Sequence, residues 1–329
     1  MIQRMTTRRT FLLAGSAALA APRLVRAQSG ELRSLIQGMP QLHSLQIARG
    51  DDVIFAEALR GGGLDAFANI KSCSKSIVAL LLGVAIDRGD VPAVTATLDQ
   101  VAPSIVPPDA TEGVADITME DLVTLRAGLE RTSGANYGEW INSRNWLADA
   151  MTRPMVAAPG TRMLYSTGST HILGAALAEA TGQSLLRQAR DRLGAPLGIE
   201  IPPWTRDPQG FYLGGNEMAL RPRDMLKIAM LLRDEGRYGG KRVIPEGWIA
   251  ASTEPRARSP WSGLSYGYGW FLSSSGYVLG RGYGGQIIAA QPGRDLAVAI
   301  TSDPTLPARS DGYFGQLMRL LDGPVLEAA

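Results

Sequence analysis

Residues 72–86 read Ser72-Cys73-Ser74-Lys75-Ser76-Ile77-Val78-Ala79-Leu80-Leu81-Leu82-Gly83-Val84-Ala85-Ile86. The apolar run predicts a buried helix from Ser72 to Arg88, closed by Gly89. Ser72 and Lys75 stand at its start, three residues apart, and so share one face. A first helical turn also carries unpaired N–H groups and the positive end of the dipole. A hydroxyl beside an amine, with N–H donors nearby, suits a serine acyl-transfer enzyme that has no histidine base. Lys71, Lys75, Lys227 and Lys241 are the only lysines. Roughly 0.3 chance Ser-x-x-Lys matches are then expected, so other motifs must support this one. The plain alternative is a capping serine followed by a solvated lysine.

Working outward, the amino end carries Thr7-Arg8-Arg9-Thr10-Phe11-Leu12, a twin-arginine pattern, then an apolar run from Phe11 to Ala21. The run is short for a bilayer span, and Val25-Arg26-Ala27 resembles a cleavage point. Residues 1–27 are therefore read as an export signal, with residues 28–329 as one hydrolase-sized domain. The expected destination is the periplasm or the outside of a bacterial cell. The expected partners are the twin-arginine export machinery and a small-molecule ester, amide or peptide substrate. No stable membrane anchor is expected once the signal is removed.

The whole chain has 33 basic and 31 acidic side chains. Arg4, Arg8, Arg9, Arg23 and Arg26 fall within residues 1–27, which hold no acid, so residues 28–329 carry 28 basic and 31 acidic groups, a formal −3. No basic run interleaved with aromatics appears, which argues against nucleic acid as a partner. Cys73 is the only cysteine, so no intrachain disulfide can form. It reads as a small residue in a packed turn.

Leu42–Ile47 and Val53–Ala58 read as a hairpin around Gly50-Asp51-Asp52. Prolines 103, 107 and 108 break the next stretch into short helices. Helices are predicted from near Thr167 to Thr181, over 224–233 behind Pro222, and over roughly 313–321. Strands are predicted at Tyr266–Leu272, Ile287–Ala290 and Leu296–Thr301. Strands at both ends imply an α/β (α+β type) fold with one antiparallel sheet flanked by helices. A helical lobe, at roughly 95–215, is inserted between them.

His43 and His171 are the only histidines, so a multi-histidine zinc site is excluded and no metal or organic cofactor is implied. Gly263-Leu264-Ser265-Tyr266-Gly267 matches the nucleophile elbow of α/β-hydrolases. That fold needs a histidine after the serine and a helix behind it, and the chain offers neither. The base must come from elsewhere. Tyr165, in Tyr165-Ser166-Thr167, is the second candidate beside Lys75. Ordinary lysine and tyrosine leave only about one molecule in a thousand deprotonated at neutral pH. Burial lowers a lysine, and a neighbouring ammonium lowers a tyrosine, so the two would act as a pair. Read alone, Tyr165 would be a core aromatic.

With these three motifs in order, the chain resembles the serine β-lactamase and penicillin-binding protein superfamily, in its esterase and amidase branch. Ser72-Cys73-Ser74-Lys75 resembles the S-x-x-K element, and Tyr165-Ser166-Thr167, after Pro159-Gly160, resembles Y-x-N. Tyr283-Gly284-Gly285-Gln286 falls where the family has K-T-G or H-x-G on a sheet strand. The likeness implies the β-lactamase/transpeptidase-like fold, Ser72 as nucleophile, Lys75 and Tyr165 as proton-transfer pair, and an acyl-enzyme. It implies an oxyanion hole from the backbone N–H groups of Ser72 and Gln286, with Thr167, Tyr283, Gly284 and Gly285 around the substrate. Thr167 stands in place of asparagine and loses an amide donor. Tyr283 stands where a lysine or histidine meets the substrate carboxylate, so β-lactams are expected to be poorer substrates than short neutral esters or amides. Arg281 is the candidate replacement for that cation, and Tyr137, Trp140 and Tyr212 are candidate pocket aromatics, with Trp146 a weaker one. Two other readings stand: a DD-peptidase or D-amino-acid amidase acting on cell-wall peptides, and a non-catalytic ligand-binding module on the same fold.

Overall fold

The hairpin signal around Gly50 forms β1 (Leu42–Arg49) and β2 (Asp52–Ala58) in the computed structural model, which describes residues 30–328. The export-signal reading of residues 1–27 lies outside the described residues. β1 does not stop at the hairpin. It pairs antiparallel with the last long strand, Leu296–Ser302, with Leu45 opposite Ile300 and Ile47 opposite Val298. The two ends of the domain thus close one sheet.

Numbered along the chain, the remaining strands of that sheet are β3 (Ala257–Arg258), β4 (Ser265–Tyr266), β5 (Phe271–Leu272), β6 (Val278–Gly282), β7 (Gln286–Gln291) and β8 (Leu296–Ser302). The eight strands lie in the order β2-β1-β8-β7-β6-β5-β4-β3, with every ladder antiparallel. Both faces are covered, so β8 reads LAVAITS with no exposed position. Its Leu296, Val298 and Ile300 enter one core with Leu32 and Ile36 of α1 (residues 30–37) and Leu317 and Leu320 of α5 (Tyr313–Leu320). Its Ala297 and Ala299 enter the other, against α2 (Ser74–Asp87) and α4 (Pro222–Arg233). Small residues on that face let α4 lie close to the sheet.

α2 is apolar all round and buried along nearly its whole length, as such a helix must be. Gly83 is the point where Trp248 crosses it, since a Cβ there would lie 2.4 Å from the indole ring. Between Asn69 and Ala219 the chain forms helices, turns and isolated bridges, including α3 (Thr167–Thr181).

The predicted single strand over Tyr266–Leu272 is two short strands, β4 and β5, broken by a turn at Gly269. The predicted helix from Ser72 is also divided. Lys71–Cys73 is a 3-10 turn and the α-helix starts at Ser74. Strand β6 was not legible because it reads VLGRG, and glycine disfavours strands. Its glycines are explained by close approach. A Cβ on Gly280 would sit 2.8 Å from Ser76 Oγ, and one on Gly282 only 2.3 Å from the Ile70 carbonyl. β6 is pressed against the turn that carries Ser72. Gly282→Ala is therefore expected to destabilise the protein by about 1–3 kcal/mol. Denaturant unfolding checks this, and an unchanged midpoint would show that the turn can move away.

Candidate active site

The 3-10 turn holds Ser72 at the mouth of α2. Lys71 sits at φ 50°, a left-handed conformation rare outside glycine. Its N–H donates to Asn69 Oδ1 (2.9 Å), and its ammonium pairs with Glu217 (2.9 Å), itself at φ 67°. Two strained residues thus lock together beside the nucleophile. Ser74 Oγ donates to the Lys71 carbonyl (2.6 Å) and tightens the same turn.

Lys75 is 2% exposed. Its Nζ donates to the Gly215 carbonyl (2.7 Å), to Thr167 Oγ1 (3.3 Å) and to Ser72 Oγ (3.4 Å). Three donors meet three acceptors. It also lies 5.1 Å from the centre of the Tyr165 ring. Burial lowers its pKa to about 7. The expected lowering of Tyr165 does not hold. Burial raises the phenol to about 12, and the opposing pull of its hydrogen bond with Ser72 and of the Arg281 charge is weaker. At neutral pH the neutral lysine is plentiful, whereas the phenolate costs about 7 kcal/mol to populate.

Tyr165 ends the loop before α3, and the start of that helix is capped from a distant loop. Thr132 Oγ1 accepts from Gly168 N–H (2.8 Å), and Ser133 Oγ accepts from Thr167 N–H (2.9 Å). Ser133 also contacts Thr167 Oγ1 (3.0 Å). Sequence reading missed Thr132 and Ser133, which carry no motif and act only through the fold.

Ser72, Tyr165 and Thr167 open onto a cavity of about 540 Å³, whose walls also include Tyr137, Arg281 and Tyr283. Missed wall residues are Arg131, Asn216, Glu217, Trp261, Phe271 and Phe314. Asn216 Nδ2 donates to the Tyr137 hydroxyl (2.9 Å), while its buried Oδ1 has no partner among the described residues.

The other predicted site residues fall elsewhere. Trp140 is fully buried, and its indole N–H donates to the Trp146 carbonyl (2.8 Å). Tyr212 packs on Trp204 (4.6 Å between ring centres) and lines a separate cleft. Both serve the helical region instead. Gly284 and Gly285 form the turn after β6, with φ 82° and 99°, and Gly285 N–H donates to the Gly282 carbonyl (3.1 Å). Their lack of Cβ is needed against Asp303 and Tyr313 and not for a ligand.

Gln286 is 1% exposed and paired in the ladder opposite Gly282. Its side chain is used up on the sheet, donating to the Ser302 carbonyl (2.7 Å) and accepting from Ser302 N–H (3.1 Å). It does not line the cavity, which corrects the predicted second oxyanion donor. Tyr283 does line it, just past the end of β6.

Arg281, named from the sequence as the candidate cation in place of Tyr283, reaches the cavity. Tyr283 lies in the turn, and the residue on the strand facing the cavity is Arg281. Its guanidinium lies over Phe314 (3.4 Å) and Phe271 (5.1 Å) and donates to Ser310 Oγ (3.3 Å). Among the described residues neither it nor Arg131 forms an ion pair. Burial lowers Arg281 to about 10, so it stays charged at neutral pH. Cys73 is fully buried, its thiol raised to about 12 by burial, and Sγ–H points to the Gln286 carbonyl (3.5 Å), so it is an inert packing group. Ser265 is in strand β4 with no helix behind it, away from the cavity.

The family described as Beta-lactamase matches residues 45–320. Comparison by sequence with curated proteins gives no match. Among solved structures, a Bacillus anthracis protein described provisionally as a 6-aminohexanoate-dimer hydrolase is similar at TM-score 0.76 and 16% identity, covering 89% of this chain and 82% of its own. EstCE1, described as a hydrolase with promiscuous acyltransferase activity, is similar at TM-score 0.69 and 17% identity, covering 94% and 99%. An octameric penicillin-binding protein homologue from Pyrococcus abyssi is similar at TM-score 0.68 and 17% identity, covering 90% and 78%. At these identities the likeness is one of fold, the β-lactamase/transpeptidase fold.

Proposed function

Because the chain belongs to the β-lactamase family, whose fold carries serine hydrolases, we propose that it cleaves an ester or amide through an acyl-enzyme on Ser72. The observation that carries this reading is Lys75. It is a buried amine, lowered to about 7, within 3.4 Å of the Ser72 hydroxyl. Neutral Lys75 takes the Ser72 proton as Oγ attacks the carbonyl carbon. Charge on the carbonyl oxygen is met by backbone N–H groups. One is Ser72's. The second in this reading is Tyr283's, since Gly282 pairs with β7 and alternation along an antiparallel strand turns the next N–H to the opposite edge. Protonated Lys75 returns its proton through the neutral Tyr165 hydroxyl to the leaving group. Water then enters and attacks the acyl carbon, giving a proton to Lys75 along the same path; the bond from Ser72 Oγ to the acyl carbon breaks, Oγ takes that proton, and the acid leaves. Residues 1–27 deliver the enzyme through the twin-arginine route to the periplasm or beyond.

Arg281 favours the second enzymatic reading, a peptidase or amidase whose substrate carries a carboxylate, and the orphan Asn216 Oδ1 suits a substrate N–H. An unpaired, desolvated guanidinium favours an anionic partner. Replacing Arg281 by Met should cost a carboxylate-bearing amide or ester about 10-fold or more in kcat/KM. The matched neutral substrate should change much less. Equal losses on both would remove Arg281 from substrate recognition.

A further inference from the structure

His171 is fully buried on α3, one turn past Thr167, and no step above uses it. Its Nε2 is 3.0 Å from Asp207 Oδ2, and its Nδ1 is 3.4 Å from the Gly214 N–H. An amide N–H can only donate, so Nδ1 is the acceptor and the proton is on Nε2. Asp207 is held just as fully. Its Oδ1 accepts from Gln209 N–H (3.0 Å) and Phe211 N–H (2.8 Å). Trp140 and Trp146 pack edge-on against the imidazole, each at 5.8 Å. Among the described residues, Asp207 is the charged partner of the ring.

Gly214 leads directly to Gly215, whose carbonyl is the shortest contact of Lys75 Nζ. Neither position tolerates a side chain. A Cβ on Gly214 would lie 2.3 Å from the Thr170 carbonyl, and one on Gly215 would lie 2.9 Å from Lys75 Nζ. Two successive glycines are the most pliable backbone available. Downstream, the segment is fixed by Asn216 on Tyr137, by Glu217 on Lys71, and by Met218 N–H on Ser74 Oγ (3.2 Å). Upstream, Leu213 is held by its N–H on the Thr205 carbonyl (2.9 Å) and by Trp204 Nε1–H on its carbonyl (2.9 Å), and the Gly214 N–H itself is held by His171.

We propose that the hydrogen-bonded His171–Asp207 pair is a positioning device for Lys75, pinning Gly214 so that the Gly215 carbonyl orients the lysine amine. This rests on Lys75 acting as the base for Ser72. The carboxylate selects the tautomer, the tautomer leaves Nδ1 free to accept, and the accepted N–H fixes the peptide before the carbonyl that holds Nζ.

The discriminating variant is Asp207→Asn. An asparagine cannot accept from His171 Nε2–H, Gln209 N–H and Phe211 N–H together, because one end of its amide is a donor. Either the ring tautomer inverts, setting Nδ1–H against the Gly214 N–H, or the 207–211 turn loses an acceptor. Losing the carbonyl contact removes a bond that favours protonated Lys75. The acid limb of kcat/KM should then move to lower pH by about half a unit or more, with kcat down about 10-fold and KM nearly unchanged. An unmoved or raised limb in a folded variant whose histidine NMR shows the His171 proton moved to Nδ1 would overturn the proposal. A readout independent of turnover is nitrogen NMR of histidine-labelled wild type, where only His43 and His171 report. His171 should carry its proton on Nε2 and accept at Nδ1 at the pH where the enzyme is active. A His171 ring that carries its proton on Nδ1 sinks the proposal even if Asp207→Asn fails to fold. Loss of the Ser72 reading would instead show as turnover that survives Ser72→Ala, which leaves the NMR result untouched.

Discussion

Ser72→Ala should lower kcat/KM for any ester or amide substrate by about three orders of magnitude or more, because no acyl-enzyme can form. The protein should stay folded. The Ser72 hydroxyl contributes a long contact to Lys75 and its hydrogen bond with Tyr165, and the turn is held by Lys71, Asn69 and Glu217. Melting should shift by no more than the equivalent of about 1 kcal/mol. A slowly hydrolysed ester or a serine-directed phosphonate should leave one adduct, on Ser72, found by mass spectrometry of peptides. The cavity makes this a demanding test, because Ser133, Ser259, Ser262 and Ser310 line it as well. Only Ser72 has the lysine amine within reach. An adduct on one of the others would move the nucleophile. An adduct on Ser265 would restore the α/β-hydrolase reading, against its place in a sheet strand.

The parts of this site visible in the sequence are those that need a particular side chain at a particular local spacing. Ser72 and Lys75 share a helix face, so three-residue spacing reveals them. Tyr165 is found because it stands at the start of a helix with a recognisable opening. The long strands β1, β7 and β8 announce themselves through apolar stretches beside turn signals, and α2 through its length. The hidden parts depend on long-range approach. Strand β6 looks like a loop, because its glycines are chosen by Ile70 and Ser76 pressing on them from far earlier in the chain. For the same reason the third motif was placed one turn too late, on Tyr283 and Gln286, when Arg281 and Gly282 occupy the strand. Gly214 and Gly215 are likewise an ordinary glycine pair until Lys75 and Thr170 are set against them. Trp140 and Tyr212 show the converse error: aromatic character was taken for a pocket role, and tertiary packing used it in the core.

Lys75→Ala should have the second largest effect, about 10³-fold or so in kcat/KM, and its pH signature is more informative than its size. A base works when unprotonated. With Lys75 lowered to about 7, wild-type kcat/KM should climb as pH rises through 7 and level off about one unit above it. Activity is lost as pH falls, since protonated lysine cannot accept the Ser72 proton. Lys75→Ala should abolish that limb along with most of the rate. Tyr165→Phe should behave differently. Its phenol, raised to about 12, is a neutral carrier and not the resting base. The variant should lose about 10²-fold yet keep the limb near 7, and the loss should be smaller for a nitrophenyl ester, whose leaving group needs no proton, than for an amide. The double variant should be little worse than Lys75→Ala alone, because both residues move one proton. A limb that persists in Lys75→Ala and vanishes in Tyr165→Phe would reverse the assignment and make the phenolate the base. The enzyme would then have to recover the roughly 7 kcal/mol that burial sets against it, and the Ser72 hydrogen bond and the Arg281 charge are the two groups that pull the phenol that way.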